Sequence, residues 1–156
     1  MGIKDEIKSK GFQSEYEKAF VNLIYTASFF ESKFLHFIEE YDLNPPHYNA
    51  LRVLRGQHPE SLPRVVLQDR LIHTVYDSTL IIDQLVKKGF VEIVKNSDDK
   101  RQVLVEITSE GLELLQELDG KVFDFIQKIM NLPAAQLMVV NKLLDDLRSS
   151  YIVSDK

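Results

Sequence analysis

Residues 77–92 read DSTLIIDQLVKKGFVE, and residues 99–111 read DKRQVLVEITSEG. In the first segment, apolar residues recur at the spacing of an α-helix and stop before Gly89, a residue typical of the position just beyond a helix C-terminus. Upstream, residues 74–77 (TVYD) have the spacing of a capping box with aspartate in place of glutamate. The pattern therefore predicts a helix that begins in this box and runs to Lys88.

A two-stranded hairpin is predicted to follow this helix. Residues 90–95 form the first candidate strand, and apolar and polar side chains alternate over residues 102–107, as they do in a half-buried strand. The polar residues 96–101 between them predict a long, solvated turn.

Two short helices are predicted on the N-terminal side. Asn44 followed by two prolines predicts a capped helix start, and this helix is expected to end near Gly56. A third short helix is expected to open at Ser61 or Leu62. Short helices followed by a two-stranded hairpin are the plan of a winged helix-turn-helix.

Long amphipathic helices are predicted on both sides of this core. A capping box from Ser14 to Glu17 opens the first helix, whose apolar residues alternate in steps of four and three as far as Tyr41, a length of about 40 Å. At the C-terminal end, apolar residues at helical spacing predict two helices separated by Pro133. So wide an apolar surface favours a partner outside its own domain, most simply a second subunit.

Composition and charge restrict the class of protein. The chain has 156 residues, no cysteine and a net charge of −5. The missing cysteine excludes disulfides, cysteine zinc sites and thiol nucleophiles. No apolar run approaches the roughly 18 residues of a spanning helix, and residues 1–10 lack the apolar core of a signal peptide, so we expect a cytoplasmic protein without a membrane partner. The net charge argues mildly against nucleic acid, but residues 62–101 carry seven basic and six acidic side chains, and the acidic excess lies elsewhere.

The combination of motifs resembles the MarR (multiple antibiotic resistance regulator) family of bacterial transcription factors. The likeness lies in residues 44–111, above all in LQDRL at 67–71, LVKKGFVE at 85–92, DKR at 99–101 and ITSEG at 107–111. The resemblance implies a mainly α (α+β) winged helix-turn-helix with a two-stranded wing, flanked by long dimerisation helices. The implied organisation is an N-terminal dimerisation helix over 1–43, a DNA-binding domain over 44–108 and C-terminal dimerisation helices over 109–156.

The resemblance also implies a homodimer that binds palindromic double-stranded DNA and represses transcription until a small ligand releases it. It places residues 74–84 on the recognition helix and Asp99 with Arg101 on the wing, where Arg101 contacts the minor groove or the backbone. The predicted DNA-binding residues are Thr74, Tyr76, Asp77, Ser78, Thr79, Leu80, Gln84, Lys87, Lys88, Lys95, Asp99, Lys100 and Arg101. The chain departs from the family at Leu80, Gln84 and Ile93, where relatives often have arginine.

The chemistry of these residues suits a duplex. A recognition helix brings its N-terminal side chains to base edges in the major groove, where glutamine pairs with adenine and Leu80 would meet a thymine methyl group. Asp77 would accept from cytosine N4 or cap the helix, and its spacing favours capping. Lys95 and its basic neighbours on the turn would contact the backbone. With so few basic groups, we expect modest affinity that falls at physiological salt.

A ligand cleft is predicted where the N-terminal helix joins the DNA-binding domain. An aromatic or anionic ligand would be surrounded by Phe30, Phe34, His47, Tyr48, Leu51 and Arg52. His47 and Arg52 would orient an anion there. The alternative is that these aromatic residues are ordinary core, since periodic aromatic residues usually pack.

Other functions have less support in the sequence. Of the four histidines, only His36 pairs with a carboxylate, Glu40, one turn away, and a surface position explains it more simply than zinc. No catalytic triad, carboxylate pair or nucleotide fingerprint is present, so we expect neither an enzyme nor a cofactor. The alternative to a regulator is a winged-helix dimer that binds a small molecule or a protein without reading DNA, and the departures at residues 80, 84 and 93 motivate it.

Overall fold

A computed structural model describes residues 2–72, 76–96 and 101–154 of the protein. Its contacts divide the chain into two compact units, Met1–Leu118 and Asp119–Lys156. The elements in chain order are α1 (Ile3–Glu6), α2 (Glu15–Ile38), a 3₁₀ turn (Glu39–Tyr41), α3 (Pro45–Gln57), β1 (Leu62–Pro63), α4 (Arg64–Arg70), α5 (Ser78–Lys87), β2 (Val91–Lys95), β3 (Val103–Ile107), α6 (Ser109–Ile129) and α7 (Ala134–Ser154). The predicted mainly α fold with a winged helix-turn-helix is confirmed.

The sheet has one strand more than the sequence predicted. Its three antiparallel strands lie in the order β1-β3-β2, and Leu62 of β1 pairs with Val105 of β3. The prediction of a helix start at Ser61 or Leu62 was wrong, because α4 begins only at Arg64. A strand of two residues is too short to show alternation. Pro63, which lacks a backbone N–H, is tolerated there because β1 lies at the edge of the sheet.

The core of the first unit holds the helix-turn-helix against the sheet. Fully buried apolar side chains come from every participating element, namely Leu51 of α3, Leu67 of α4, Leu85 of α5, Val105 of β3, and Leu115 and Leu118 of α6. Burying each such side chain contributes about 1.5–3 kcal/mol relative to exposure. The recognition helix α5 is therefore fixed by its inner face, which leaves its outer face available.

The starts of the two N-terminal helices follow from their capping residues. The Oγ of Ser14 accepts the Glu17 N–H at 3.2 Å, and the Oδ1 of Asn44 accepts the His47 N–H at 2.8 Å. Both predicted caps are confirmed. Helix α2 ends at Ile38, one 3₁₀ turn earlier than the apolar pattern predicted. Glu39–Tyr41 form this 3₁₀ turn instead of continuing the α-helix, and the chain then enters α3.

The C-terminal helices α6 and α7 are separated at Pro133, as predicted. Over residues 134–151 of α7, for which side-chain burial is described, no side chain is buried. Several are large and apolar, including Met138, Val139, Leu143 and Leu147. Isolated helices gain most of their stability from packing an apolar face, so this surface favours a partner. None of the described helices combines the length and the apolar character needed to cross a membrane.

Candidate nucleic-acid interface

The recognition helix α5 begins at an aspartate cap. A carboxylate oxygen of Asp77 accepts the Thr79 N–H at 2.8 Å, and this bond holds the pKa of Asp77 below its ordinary value. Capping, the function favoured for Asp77, is thus observed. The predicted start of the helix in the box at residues 74–77 was wrong, however. Asp77 is itself the N-cap, and the first helical residue is Ser78. Thr74 lies outside the described residues.

Gln68 of α4 joins the two helices of the helix-turn-helix. Its Nε2 donates to the Tyr76 carbonyl oxygen at 3.1 Å, and its Oε1 accepts the Ser78 N–H at 2.8 Å. One side chain thereby satisfies both a carbonyl before α5 and a backbone N–H in its first turn. Gln68 belongs to the LQDRL stretch at 67–71 that resembles the family, but the sequence predicted no role for it.

Five of the predicted DNA-binding residues lie on α5 or just before it. Tyr76 and Asp77 precede the helix and are exposed, Leu80 and Lys87 are exposed on it, and Thr79 is half-buried. Tyrosine, threonine and leucine can meet base edges or thymine methyl groups, whereas lysine contacts phosphate.

Three further predicted residues are engaged within the protein. Ser78 is buried, so its side chain is not available to DNA. Gln84 Oε1 lies 2.7 Å from His47 Nε2, which makes Gln84 a partner of α3 rather than a free adenine reader. Lys88, just after α5, forms an ion pair with Asp42. Of the three, Gln84 lies on the side of α5 that faces α3.

The wing supplies two further exposed cations. Lys95, at the end of β2, and Arg101, before β3, are exposed. The Nδ2 of Asn96 donates to Gln102 Oε1 at 2.7 Å and ties the two ends of the turn together. Asp99 and Lys100, which were also predicted to contact DNA, lie outside the described residues.

Arg64 is a residue of this surface that the sequence left without a role. Its Nη1 donates to the Thr79 Oγ1 at 2.9 Å, which connects the start of α4 with the first turn of α5. The only sequence signal was its charge, because the two residues are 15 positions apart and no local motif links them.

The residues predicted to form a ligand cleft pack mainly against one another. The rings of Phe34 and Tyr48 meet edge to face with centroids 5.4 Å apart, and the Arg52 guanidinium lies 6.0 Å from the Tyr48 centroid. Leu51 is fully buried. This arrangement agrees with the alternative that the aromatic residues are core. Phe30 lines a cavity of about 250 Å³ between α1 and α2.

A larger cleft of about 550 Å³ lies on another side of α2. It is bounded by α2, by the turn into α3 and by α5, and none of the six predicted ligand residues lines it. Its lining consists of Ser28, Glu31, Ser32, Leu35, Asn44, Pro45, Pro46, Tyr76, Asp77, Leu80, Ile81 and Gln84. Two of these residues are carboxylates, and no lysine or arginine is among the described lining residues.

His47 connects the start of α3 with the recognition helix. Its Nδ1 accepts the Asn44 N–H at 3.3 Å while its Nε2 faces Gln84, and the ring is buried. Burial lowers the pKa of His47, and the nearby Lys88 lowers it further, whereas Gln84 and Asp42 oppose the shift. A neutral ring with its proton on Nε2 suits both bonds, because protonation would turn the Nδ1 acceptor into a donor.

Acidification is expected to destabilise the fold through His47. The unfolded chain titrates near the ordinary histidine pKa, about 6.5, and the folded chain below it. Between these two pKa values the unfolded state therefore binds more protons than the folded state. The free energy of unfolding is preserved above pH 6.5 and falls as the pH drops through the folded pKa. Urea denaturation between pH 7.5 and 5 measures the slope. In His47→Gln the free energy of unfolding should depend less on pH. An equally steep dependence in this variant would contradict the assignment of the effect to His47.

The fold and this surface define a winged helix-turn-helix protein, with a recognition helix and a wing on one unit. No protein-family model matches the sequence. A curated relative, the uncharacterized HTH-type transcriptional regulator YkoM of Bacillus subtilis (strain 168), is 29% identical over 80 residues. The match covers 51% of this chain and 51% of YkoM, so the chain spans about half the length of that relative.

Solved structures extend the likeness over most of the chain. A mutant MarR of E. coli, solved in complex with operator DNA, is 26% identical, with a TM-score of 0.69 over 81% of this chain and 91% of that one. A MarR transcription factor of Planctomyces limnophilus is 28% identical, with a TM-score of 0.66 over 86% and 98%. BpsR of Bordetella bronchiseptica, whose DNA binding is regulated by 6-hydroxynicotinic acid, shares the fold at 20% identity, with a TM-score of 0.72 over 85% and 99%. By fold and by these likenesses, the chain is similar to transcription regulators of the MarR family.

Proposed function

We propose that the protein is a homodimeric MarR-type repressor that binds palindromic DNA and is released by a small molecule. The observation that carries the proposal is the exposed side of the recognition helix, where Leu80 and Lys87 on α5 and Tyr76 just before it are exposed, together with the exposed wing cation Arg101. The inner face of the same helix is buried in the core. A helix with one buried and one exposed face suits major-groove docking.

The dimer is supported by apolar surface in each unit. In α2 of the first unit, Tyr16, Phe20 and Ile24 are exposed, and in the second unit α7 buries no side chain over residues 134–151. Large exposed apolar surfaces mark interaction sites. A second copy of the chain would cover both surfaces and would present two recognition helices to two half-sites about one helical turn apart.

Ligand control is supported by the 550 Å³ cleft, because its lining joins α2 to the recognition helix. A ligand there would contact Tyr76 and Leu80, which are also in the DNA-facing set. Such a ligand shifts DNA affinity only if it prefers one position of α5. Glu31 and Asp77 in the lining favour a neutral or cationic aromatic compound over the anionic one that the sequence allowed.

A mobility-shift experiment with the DNA upstream of the protein's own gene tests the function. We expect specific retardation at low salt, weakened about tenfold or more by Arg101→Ala, because a charge-assisted bond to phosphate contributes about 1.5–3 kcal/mol. Lys10→Ala, far along the chain in the polar N-terminal segment, is the matched loss of one positive charge. An aromatic amine and the corresponding acid are then titrated into the complex.

No retardation by the wild-type protein at low salt would contradict the proposal. It would favour the second candidate, a winged-helix dimer without DNA reading. That candidate has its own observations, namely the engagement of Gln84 by His47 and the exposed apolar side chains of Leu80 and Ile93 on the surface that would face DNA.

A further inference from the structure

A small cleft between the start of α4 and the start of β3 contains two arginines. It measures about 240 Å³ and is lined by Arg64, Val65, Arg101, Gln102 and Val103. We call it the arginine cleft. Among these lining residues there is no carboxylate, although the chain as a whole is acidic. Two guanidinium groups beside one cleft favour an anionic occupant.

We propose that the arginine cleft binds one backbone phosphate of DNA, with Arg64 as a phosphate ligand beside Arg101. This inference rests on the proposed DNA-binding function and adds a contact that the sequence did not predict. A guanidinium has five N–H donors in a planar fork that matches two phosphate oxygens. Arg64 donates one of these N–H groups to the Thr79 hydroxyl and also lines the cleft, and its charge acts on the Asp77 carboxylate as well.

The bond from Arg64 to Thr79 also orients the guanidinium. Thr79 is in the first turn of α5, where the helix would enter the groove, and the bond length is 2.9 Å. A phosphate held by Arg64 would therefore lie next to the first turn of the recognition helix. Phosphate contacts at such positions fix the register of the protein on the duplex without reading its sequence.

A diester of DNA fits the position better than a free phosphate. The arginine cleft is shallow enough that Val65 at its edge remains largely exposed. It lies between the wing and the start of α4, which Arg64 connects to the first turn of α5. A ligand that continues beyond the cleft on both sides is accommodated by such an open site.

The salt dependence of DNA binding tests the inference. Fluorescence anisotropy of labelled upstream DNA is measured with KCl for the wild-type protein, Arg64→Gln, Thr79→Val and Arg70→Gln. Each phosphate contact contributes about 0.9 to the slope of log affinity against log salt, so Arg64→Gln in a dimer should lower the slope by about two. Its affinity at low salt should fall about tenfold or more for every DNA sequence tested.

The other variants separate a phosphate ligand from a positioning residue. Thr79→Val removes the bond that orients Arg64 but keeps the positive charge, so it should lower the slope less than Arg64→Gln does. Arg70→Gln removes the same charge at the other end of α4, where Arg70 donates to Gln57, and should leave the slope unchanged. An unchanged slope in Arg64→Gln, or the same loss of slope in Arg70→Gln, would overturn the inference.

Two further outcomes are distinguishable. If inorganic phosphate raises the thermal stability of the wild-type protein but not of Arg64→Gln, while the salt slope of DNA binding is the same in both, the cleft takes a free phosphate and the assignment to DNA is wrong. If the wild-type protein binds no DNA even at low salt, the proposed function itself fails. Binding with an unaltered slope in Arg64→Gln defeats only the inference about the cleft.

Discussion

Replacing Gly111 with alanine is expected to destabilise the folded protein by about 2–4 kcal/mol. A Cβ at this position would lie 2.4 Å from the Phe90 carbonyl oxygen and 2.8 Å from Cγ1 of Ile107. The carbonyl cannot simply move away, because it accepts the Thr108 N–H at 3.1 Å where the sheet meets α6. The Thr108 Oγ1 in turn accepts the Gly111 N–H at 3.2 Å, so the backbone is held on both sides.

The same helix offers a control of opposite sign. Gly120 also lies in α6, and a Cβ there would have nothing within 4 Å. Gly120→Ala should therefore stabilise the protein by about 0.5–1 kcal/mol, since alanine loses less backbone entropy in a helix. Urea denaturation of both variants at pH 7.5 gives the two free energies of unfolding. A Gly111→Ala protein as stable as Gly120→Ala would disprove the close approach of α6 to Phe90, just before β2.

Two glutamates on α7 are expected to abolish the proposed dimer and lower DNA affinity by about 100-fold or more. Leu143 and Leu147 are more than half exposed, at 57% and 54%, so Leu143→Glu with Leu147→Glu should leave the fold of the single chain intact. In a dimer they would place charges in an apolar interface. A monomer binds one half-site alone and loses the gain of about 10²–10⁴ that linked binding provides.

A matched variant separates charge from position on α7. Asn141 and Ser149 are exposed on the opposite side of the helix, given 100° per residue, and Asn141→Glu with Ser149→Glu adds the same charge. Sedimentation should show a monomer for the leucine variant and a dimer for this control, with circular dichroism unchanged in both. If the leucine variant sediments as a dimer and binds DNA like the wild type, α7 is not the dimer surface.

The helix caps and the wing were predictable because their interactions are local. Ser14 and Glu17, or Asn44 and His47, are three residues apart, so their bonds depend only on the backbone of one turn. The alternation in β3 and the helix stop at Gly89, whose φ is +76°, are likewise set by neighbouring residues in the sequence. The prediction for the start of α5 failed although its cap is also local, since Thr74 and Asp77, three positions apart in the sequence, were both chemically able to cap.

The site depended on contacts that no local pattern encodes. His47 lies 37 residues from Gln84, and Arg64 lies 15 residues from Thr79. Whether Gln84 faces DNA or His47 depends on how α5 is rotated against α3. The 550 Å³ cleft has the same origin, because the sequence showed which residues of α2 are aromatic but not which side of α2 faces this cleft. The departures at Leu80 and Ile93 were visible in the sequence, and both side chains are exposed.

The order of elements, most of their ends and the family motifs follow from hydrophobic periodicity and capping within a few residues, where backbone geometry leaves few choices. The third strand, the partners of the recognition helix, the arginine cleft and the need for glycine at position 111 arise only when distant segments pack. Each of these features depends on a distance that only the packed core fixes. The two-residue strand pairs with β3, the Phe90 carbonyl oxygen would lie 2.4 Å from a Cβ at position 111, and the Arg64 guanidinium connects two helices.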